Sequence, residues 1–300
     1  MHGIVLQVYS DFFDVQTDNG ERWQCKVQGR LKRQKRRTTL VAAGDRVQIL
    51  AVEPEKRAGV IIQIEPRTRV LSRTRPGGGH PFEDVLLANP DAIMVVFAVA
   101  EPEPHLRMLD RFLVAAEASE LDIFIVINKI DLTGEARARA LFGLYADAGY
   151  PVFYTSAEEN VGVEAVRRQL RDHITVVAGP SGVGKSSLIN QIEPGLNIRI
   201  GETMKIGKGR HTTRAARLHP LSNGGFIADT PGLRELGLWD VRPEELSDYF
   251  PEIRRYAIDC RFSFCTHTHE PDCAVQEALA AGLIHPHRWQ SYLRLFHGEE

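Results

Sequence analysis

The sequence predicts a multidomain α/β protein with three parts: an N-terminal OB-fold β-barrel, a central P-loop domain and a C-terminal α-helical domain around a metal cluster. Short β-like runs crowd the first 66 residues. From about residue 82, apolar strands alternate with amphipathic helices, and three of the four cysteines fall within 14 residues near the C-terminus. We therefore place the domains at residues 1–66, 82–236 and 237–300, with a linker at 67–81.

The N-terminal segment contains five runs typical of short strands, separated by turn residues such as Asp18-Asn19-Gly20 and Gly44-Asp45. Five short strands in so small a segment favour an OB barrel. We expect these strands at residues 3–9, 11–16, 22–27, 46–52 and 59–65.

A basic run separates the third and fourth of these strands. Six of the eight residues in 30–37 are Lys or Arg, and residues 1–75 carry seven more basic than acidic residues. The rest of the chain carries nine more acidic than basic residues, so the net charge is only −2. A basic module with OB-type loops is typical of RNA or single-stranded DNA binding, and a solvated basic face is the alternative. Four aromatic residues are either stacking faces or barrel core: Tyr9, Phe12, Phe13 and Trp23.

Residues 67–81 are interpreted as a flexible linker, because they contain four arginines and the run Gly77-Gly78-Gly79. Hydrophobic residues make up 43% of the chain and charged residues 25%, which excludes disorder throughout. The longest apolar run, 92–100, is too short to cross a bilayer, and the N-terminus lacks the features of a secretory signal. We expect a cytoplasmic protein without a membrane partner.

The central domain contains a P-loop. Residues 179–186 match GxxxxGK[ST] at every required position, between an apolar strand and an amphipathic helix. In such a loop the glycines let backbone N–H groups converge on phosphates, Lys185 reaches the β- and γ-phosphates, and the Ser186 hydroxyl binds Mg²⁺. The predicted nucleotide-binding residues here are Gly179, Ser181, Gly182, Val183, Gly184, Lys185, Ser186 and Ser187.

Two further motifs point to guanine. Residues 128–131 read NKxD, and the Asp131 carboxylate can accept hydrogen bonds from both N1–H and the exocyclic amine of guanine, a donor pair that adenine lacks. We expect Asn128 to tie the base-binding loops together and the stem of Lys129 to cover one face of the base. Residues 155–157 fit the loop that contacts guanine O6, which assigns Ser156 and Ala157 to the site.

The hydrolysis motifs follow the P-loop. Residues 229–232 fit DxxG, so Asp229 would hold Mg²⁺ through water and the Gly232 N–H would contact the γ-phosphate. In the upstream glycine-rich segment we favour Thr213, with Thr212 as the alternative, for closing over Mg²⁺ and the γ-phosphate.

Position 233 departs from the usual hydrolysis pattern. Leu233 stands where many GTPases have a glutamine that orients the attacking water. His211 is the candidate to replace that glutamine, and an ordinary surface histidine is the alternative.

The order of these motifs is permuted. In ordinary GTPases the P-loop comes first and NKxD fourth, whereas here NKxD and residues 155–157 precede the P-loop. A circularly permuted GTPase domain with a mostly parallel sheet accounts for this order. One consequence is that the segment after DxxG leads directly into the C-terminal domain.

A cysteine and histidine cluster lies in that C-terminal domain. Its spacing is Cys260-x4-Cys265-x-His267-x5-Cys273, which supplies three thiolates and an imidazole. Four such ligands suit a closed, structural Zn²⁺ site. His269 is the rival for the fourth ligand, and free cysteines are the alternative to a metal.

The sequence resembles the ribosome small-subunit-dependent GTPase A family, also called RsgA or YjeQ, over nearly its whole length. The resemblance rests on the permuted motif order, GPSGVGKSS at 179–187, GRHTT at 209–213, DTPG followed by Leu233-Arg234-Glu235, and the cysteine cluster. It also includes Gly44-Asp45-x-Val47.

The resemblance implies an OB domain, a permuted GTPase domain and a zinc domain. It further implies a late small-subunit assembly factor whose GTP hydrolysis is stimulated by that subunit, with His211 in place of the missing glutamine. We therefore expect GTP or GDP, Mg²⁺ and one Zn²⁺ as ligands, the small ribosomal subunit and its rRNA as partners, release on hydrolysis, and a monomer. The alternatives are a GTP-gated RNA-binding scaffold without significant catalysis and, disfavoured by NKxD, a P-loop ATPase or kinase.

Overall fold

The computed structural model describes residues 1–10, 12–32, 38–75, 82–196, 216–229 and 241–299. Two compact units are present. The first unit comprises residues 1–92, 167–177 and 193–236, and the second comprises residues 93–166, 178–192 and 237–300. Within the described residues, no helix is long and apolar enough to cross a membrane.

The N-terminal strands close into a five-stranded barrel of order β1-β2-β3-β5-β4. Strands β3 and β5 are parallel, and the other neighbouring strands of the barrel are antiparallel, which is the OB arrangement that the sequence predicts. Burial alternates most clearly in β3, where Trp23, Cys25 and Val27 are buried and the residues between them are exposed. A short helix, α1 (Gly29–Lys32), follows β3. The strands are β1 (His2–Val8), β2 (Phe13–Thr17), β3 (Arg22–Val27), β4 (Arg46–Glu53) and β5 (Ala58–Ile64).

The aromatic residues of the barrel divide between core and surface. Trp23 is buried in the barrel core and Phe13 packs against it. Tyr9 and Phe12 are exposed, and the Lys26 ammonium lies 5.1 Å from the centroid of the Phe12 ring. Only Tyr9 and Phe12 are therefore placed to stack on a ligand. Most of the basic run, residues 33–37, lies outside the described residues.

The segment interpreted as a flexible linker contains a strand, so that interpretation was wrong for residues 70–75. Strand β6 (Val70–Arg75) pairs antiparallel with β7 (Phe82–Ala88) as a two-stranded sheet. Val70 and Thr74 are β-branched residues, which favour strands, and Leu71 is buried. The composition of the neighbouring Gly77-Gly78-Gly79, which lies outside the described residues, obscured this pattern.

The central region is built on a six-stranded sheet of order β10-β9-β8-β11-β13-β12. The pairs β9–β10 and β11–β13 are parallel and β12–β13 is antiparallel, in agreement with the predicted mostly parallel sheet. The strands are β8 (Ala92–Ala98), β9 (Asp122–Asn128), β10 (Val152–Tyr154), β11 (Ile174–Ala178), β12 (Arg217–Pro220) and β13 (Phe226–Asp229).

Helices connect these strands and form the C-terminal part of the chain. Their occurrence between the strands and in the C-terminal segment is what the sequence predicts, because apolar residues recur there at helical spacing. They are α2 (Leu106–Glu117), α3 (Glu135–Ala148), α4 (Val163–Gln169), α5 (Lys185–Ile192), α6 (Pro251–Ala257), α7 (Ala274–Ala280) and α8 (Pro286–Phe296).

Candidate nucleotide and metal sites

The P-loop has the strand–loop–helix context that its motif requires, since β11 ends at Ala178 and α5 begins at Lys185. Its glycines are needed for close approach. At Gly179, where φ is +133°, an added Cβ would lie 2.1 Å from the Val96 carbonyl oxygen. At Gly184, where φ is +88°, it would lie 2.4 Å from Asn128 Nδ2. A larger residue at either position would therefore displace a strand or a guanine-motif side chain.

The remaining P-loop residues lie in the loop between β11 and α5 or at the start of α5. Lys185 Nζ donates to the carbonyl oxygens of Gly179 at 2.9 Å and Pro180 at 2.6 Å, so its ammonium lies inside the loop. Val183 is buried, which anchors the turn. The other predicted residues lie in the loop or in the first turn of α5: Ser181, Gly182, Ser186 and Ser187.

Asn128 joins three nucleotide loops at the end of β9. Its Nδ2 donates to the Val183 carbonyl of the P-loop at 3.0 Å. Its Oδ1 accepts from Thr155 Oγ1 and from the Ala157 backbone N–H, both at 3.1 Å. The side chain is 1% exposed, so each of these bonds is shielded from water. The structure thus brings together NKxD, residues 155–157 and the P-loop, as the motifs predict.

Asp131 is held by the neighbouring loop. The Ser156 hydroxyl donates to Asp131 Oδ1, and the same hydroxyl accepts from the Glu159 N–H at 3.0 Å. Asp131 itself is exposed. The carboxylate is therefore oriented before any ligand binds.

Lys129 has a partner that sequence reasoning missed. The residue has φ of +65°, and its Nζ donates to the backbone carbonyl of Glu101, in the segment between β8 and α2. A backbone acceptor leaves no side-chain signature, so no sequence pattern could have identified it. The contact directs the Lys129 stem, which the sequence analysis assigns to the face of the base.

Asp229 ends β13 and stands directly opposite Arg217 of β12 in the antiparallel register. Burial raises the pKa of Asp229, while the positive charge of Arg217 lowers it. A partly buried carboxylate at the end of a strand is a suitable oxygen donor for a hard cation such as Mg²⁺. The other predicted hydrolysis residues lie outside the described residues: His211, Thr212, Thr213 and Gly232.

The four predicted metal ligands come together. The ligand atoms of Cys260, Cys265, His267 and Cys273 lie within 4.8 Å of one another. Cys260 Sγ and Cys265 Sγ lie 3.8 and 3.7 Å from Cys273 Sγ, and His267 Nδ1 lies 3.5 Å from Cys260 Sγ. Zinc–sulfur bonds of about 2.3 Å in a tetrahedron separate two sulfurs by about 3.8 Å. The spacing therefore fits one zinc ion.

His267, rather than His269, faces the thiols. His269 Nδ1 instead lies 2.8 Å from Thr268 Oγ1. Burial raises the pKa of the Cys265 thiol to about 12, with neighbouring thiols acting in the same direction. A cation is therefore what would stabilise thiolates here at neutral pH.

The loop that carries His267 is fixed from both sides. Glu270 accepts the Thr266 N–H at 2.8 Å, and Tyr292 of α8 donates to the Thr266 carbonyl at 2.9 Å. Gln276 of α7 donates to the carbonyl of His267 at 2.6 Å. The ligand geometry is thus supported by backbone contacts beyond the four ligands.

Comparisons with known proteins cover nearly the whole chain. The family model described as RsgA GTPase matches residues 64–239, and that described as RsgA N-terminal domain matches residues 2–61. The chain belongs to the RsgA GTPase family. It is therefore a GTPase, and its fold is the permuted, multidomain arrangement that the sequence predicts.

Curated relatives match this chain over nearly its whole length. The Small ribosomal subunit biogenesis GTPase RsgA of Gemmatimonas aurantiaca is 47% identical over 98% of this chain and 95% of its own length. The RsgA of Alkaliphilus metalliredigens is 40% identical, with 98% and 96% covered.

Two solved structures share the fold of this chain over nearly its whole length. YjeQ from Thermotoga maritima is 37% identical, with a TM-score of 0.79 over 99% of this chain and 97% of its own. YloQ, described as a circularly permuted GTPase, is 28% identical, with a TM-score of 0.77 over 99% and 94%.

Proposed function

We propose that this chain is a cytoplasmic, monomeric factor that hydrolyses GTP on the small ribosomal subunit late in its assembly and leaves the subunit after hydrolysis. The observation that carries the proposal is the Asn128 side chain, which joins the P-loop to both guanine motifs. The names of the relatives supply the partner, since they are called small ribosomal subunit biogenesis GTPases.

Guanine selectivity rests on Asp131. Its carboxylate would accept two hydrogen bonds from the base, while Ser156 fixes its orientation. The Ala157 N–H, which donates to Asn128 Oδ1 in this structure, would contact guanine O6 only by giving up or sharing that acceptor. Adenine would leave the carboxylate unpaired, which costs about 1–3 kcal/mol or more for a charged group. Lys129 would cover one face of the base.

Hydrolysis would depend on residues that bind the β- and γ-phosphates, Mg²⁺ and the attacking water. Lys185 would exchange its carbonyl partners for the β- and γ-phosphates, and Ser186 and Asp229 would hold Mg²⁺. When bound, Mg²⁺ neutralises charge on the phosphates. We assign the water-positioning role to His211, because Leu233 cannot fill it. Thr213, or Thr212 as the alternative, and Gly232 would contact the metal and the γ-phosphate.

The RNA contacts would come from the basic run of the barrel domain together with the C-terminal zinc domain. The basic run at residues 30–37 supplies cations for phosphates, and exposed Tyr9 and Phe12 offer faces for unpaired bases. The cysteine and histidine cluster would hold one structural Zn²⁺ and thereby fix the C-terminal helices.

Measuring GTP turnover with and without purified small ribosomal subunits, at low and high salt, tests this proposal. We expect strong stimulation that falls with salt, because phosphate contacts release counterions. His211→Ala should abolish stimulation while leaving GTP binding intact. The matched control is His297→Ala, an exposed histidine just beyond α8.

The second candidate is a GTP-gated RNA-binding scaffold, which Leu233 favours because the usual water-orienting glutamine is missing. Tight GTP binding without stimulated turnover would support the scaffold and contradict the hydrolytic cycle. Unchanged stimulation in His211→Ala would remove only that residue from the mechanism.

A further inference from the structure

A buried ion-pair cluster in the second unit joins the C-terminal helices to α2 of the GTPase region. The side chains of Asp110 on α2 and Arg288 on α8 are both 0% exposed. Arg288 Nη1 donates to Asp110 Oδ1 at 2.6 Å, and its Nε donates to Oε1 of Glu252, on α6, at 2.6 Å. One buried guanidinium is thus held between two carboxylates from different helices.

Three further polar side chains lie beside the Asp110 carboxylate. Tyr145 of α3 donates to its Oδ1 at 2.9 Å, and Ser291 of α8 donates to its Oδ2. His287 Nε2 lies 3.2 Å from the same Oδ2. Burial by itself would raise the pKa of Asp110, but the hydrogen bond from His287 and the charge of Arg288 hold it below its usual value. A fully partnered buried carboxylate fixes the relative geometry of the helices that supply its partners.

Apolar packing reinforces this attachment. Val114 of α2 belongs to the same buried cluster as Leu246, Phe250 and Tyr292 of the C-terminal segment. The Arg288 guanidinium lies 4.4 Å from the centroid of the Phe250 ring. Helix α2 therefore shares a core with the segment that carries the metal ligands.

The segment preceding α2 contacts the nucleotide loops. The carbonyl of Glu101 accepts from Lys129 Nζ of the guanine motif. Pro102 also lies beside the P-loop, since its Cδ is 3.5 Å from the position that a Cβ on Gly182 would occupy. Tyr145 adds a connection to the start of the helix, since its hydroxyl lies 3.3 Å from the carbonyl of Leu106, the first residue of α2.

We propose that guanine-nucleotide binding and docking of the C-terminal helices are thermodynamically linked through α2 and residues 99–105. A nucleotide that orders the Lys129 stem orders residues 99–105 at one end of α2. The Asp110–Arg288 cluster orders the same helix along its length. Whichever event comes first reduces the conformational entropy that the second must lose, so each strengthens the other. The linkage requires GDP binding but no ribosomal partner, so it goes beyond the proposed function.

Hydrogen exchange on the full-length, metal-loaded chain tests the linkage in one direction. Exchange is followed by mass spectrometry with and without saturating GDP and Mg²⁺. We expect GDP to slow exchange in α8 (Pro286–Phe296) by at least about fivefold, the lower end of typical coupling energies. Barrel strands β2 and β4, in the other unit, are the internal control and should not change.

Binding measurements test the reciprocal direction. Ser291→Ala and Tyr145→Phe each remove one hydrogen bond to Asp110 and leave the ion pairs in place. Each should weaken binding of a fluorescent GDP by at least about fivefold. Gln290→Ala, an exposed neighbour on α8, is the matched control and should bind as the wild type does.

Two results overturn the linkage. Either GDP slows exchange at residues 99–105 without affecting α8, or the two variants lose thermal stability while keeping wild-type GDP affinity. Failure of the wild-type chain to bind GDP at all would overturn both the linkage and the proposed function, so the two failures are distinguishable.

Discussion

Asn128 donates its side-chain amide to the backbone carbonyl of Val183 at 3.0 Å, across 55 residues of sequence. The donor is the last residue of β9, and the acceptor lies in the turn before α5. Because Val183 is itself buried, this bond fixes the position of the P-loop relative to the guanine motif. The phosphate and base subsites are therefore held at a set separation by one side chain.

Replacing Asn128 tests that role. Asn128→Ala removes three hydrogen bonds that are shielded from water, so we expect GDP affinity to fall by about 10- to 100-fold. Titration with a fluorescent GDP measures the change. Glu158→Ala, an exposed position beside Ala157, is the control, and equal affinities for both variants would contradict the role of Asn128.

Replacing Asp131 tests base selection. Asp131→Asn puts an amide donor where guanine presents donors, whereas xanthine carries an acceptor oxygen in place of the exocyclic amine. We expect the affinity for GDP to fall by about 100-fold and that for xanthosine diphosphate to rise. Competition titrations with both nucleotides provide the ratio. A variant that still prefers GDP by the wild-type ratio would exclude Asp131 as the selecting residue.

The metal cluster offers a matched pair of histidines. His267→Ala removes a ligand whose Nδ1 lies 3.5 Å from two thiols, whereas His269→Ala removes a side chain directed at Thr268. We expect zinc content, measured by elemental analysis, to fall from about one ion per chain in the first variant only. The fluorescence of the C-terminal Trp289 should report the accompanying loosening. Zinc loss in His269→Ala alone would reverse the assignment.

His219 on β12 predicts an acid-side loss of stability. Burial lowers its pKa from 6.5 to about 4, and the charges of Arg217 and Arg22 act in the same direction. As pH falls below 6.5, His219 becomes protonated in the unfolded chain, whereas in the folded chain it stays neutral until about pH 4. The free energy of unfolding should therefore decrease across this window, by about 1–2 kcal/mol after allowance for the partial exposure of the ring.

Urea unfolding at pH 7 and pH 4.5 measures this effect. His219→Gln should lose less stability between the two pH values than the wild type does, while the exposed control His2→Gln should behave as the wild type. Equal pH dependence in the wild type and His219→Gln would show that other groups account for the acid sensitivity.

Local sequence determined most of the site. Short β-like runs between turn residues predicted the barrel strands, and helical spacing of apolar residues predicted amphipathic helices, because both are local properties of the chain. The P-loop could also be predicted from its glycines, since the positive φ at Gly182 and Gly184 strongly favours glycine. The Cys-x4-Cys-x-His-x5-Cys spacing fixed the ligand chemistry, though it left His267 and His269 as alternatives.

The tertiary structure decided what depends on distant partners. His267 faces the thiols because the loop from Thr266 is fastened to Glu270 and Tyr292. Residues 70–75 become a strand because β7 pairs with them. Arg288 is buried because Asp110, 178 residues away, and Glu252 neutralise it. A charge can leave water only when folding supplies its counter-charges, and no pattern within one segment records that pairing.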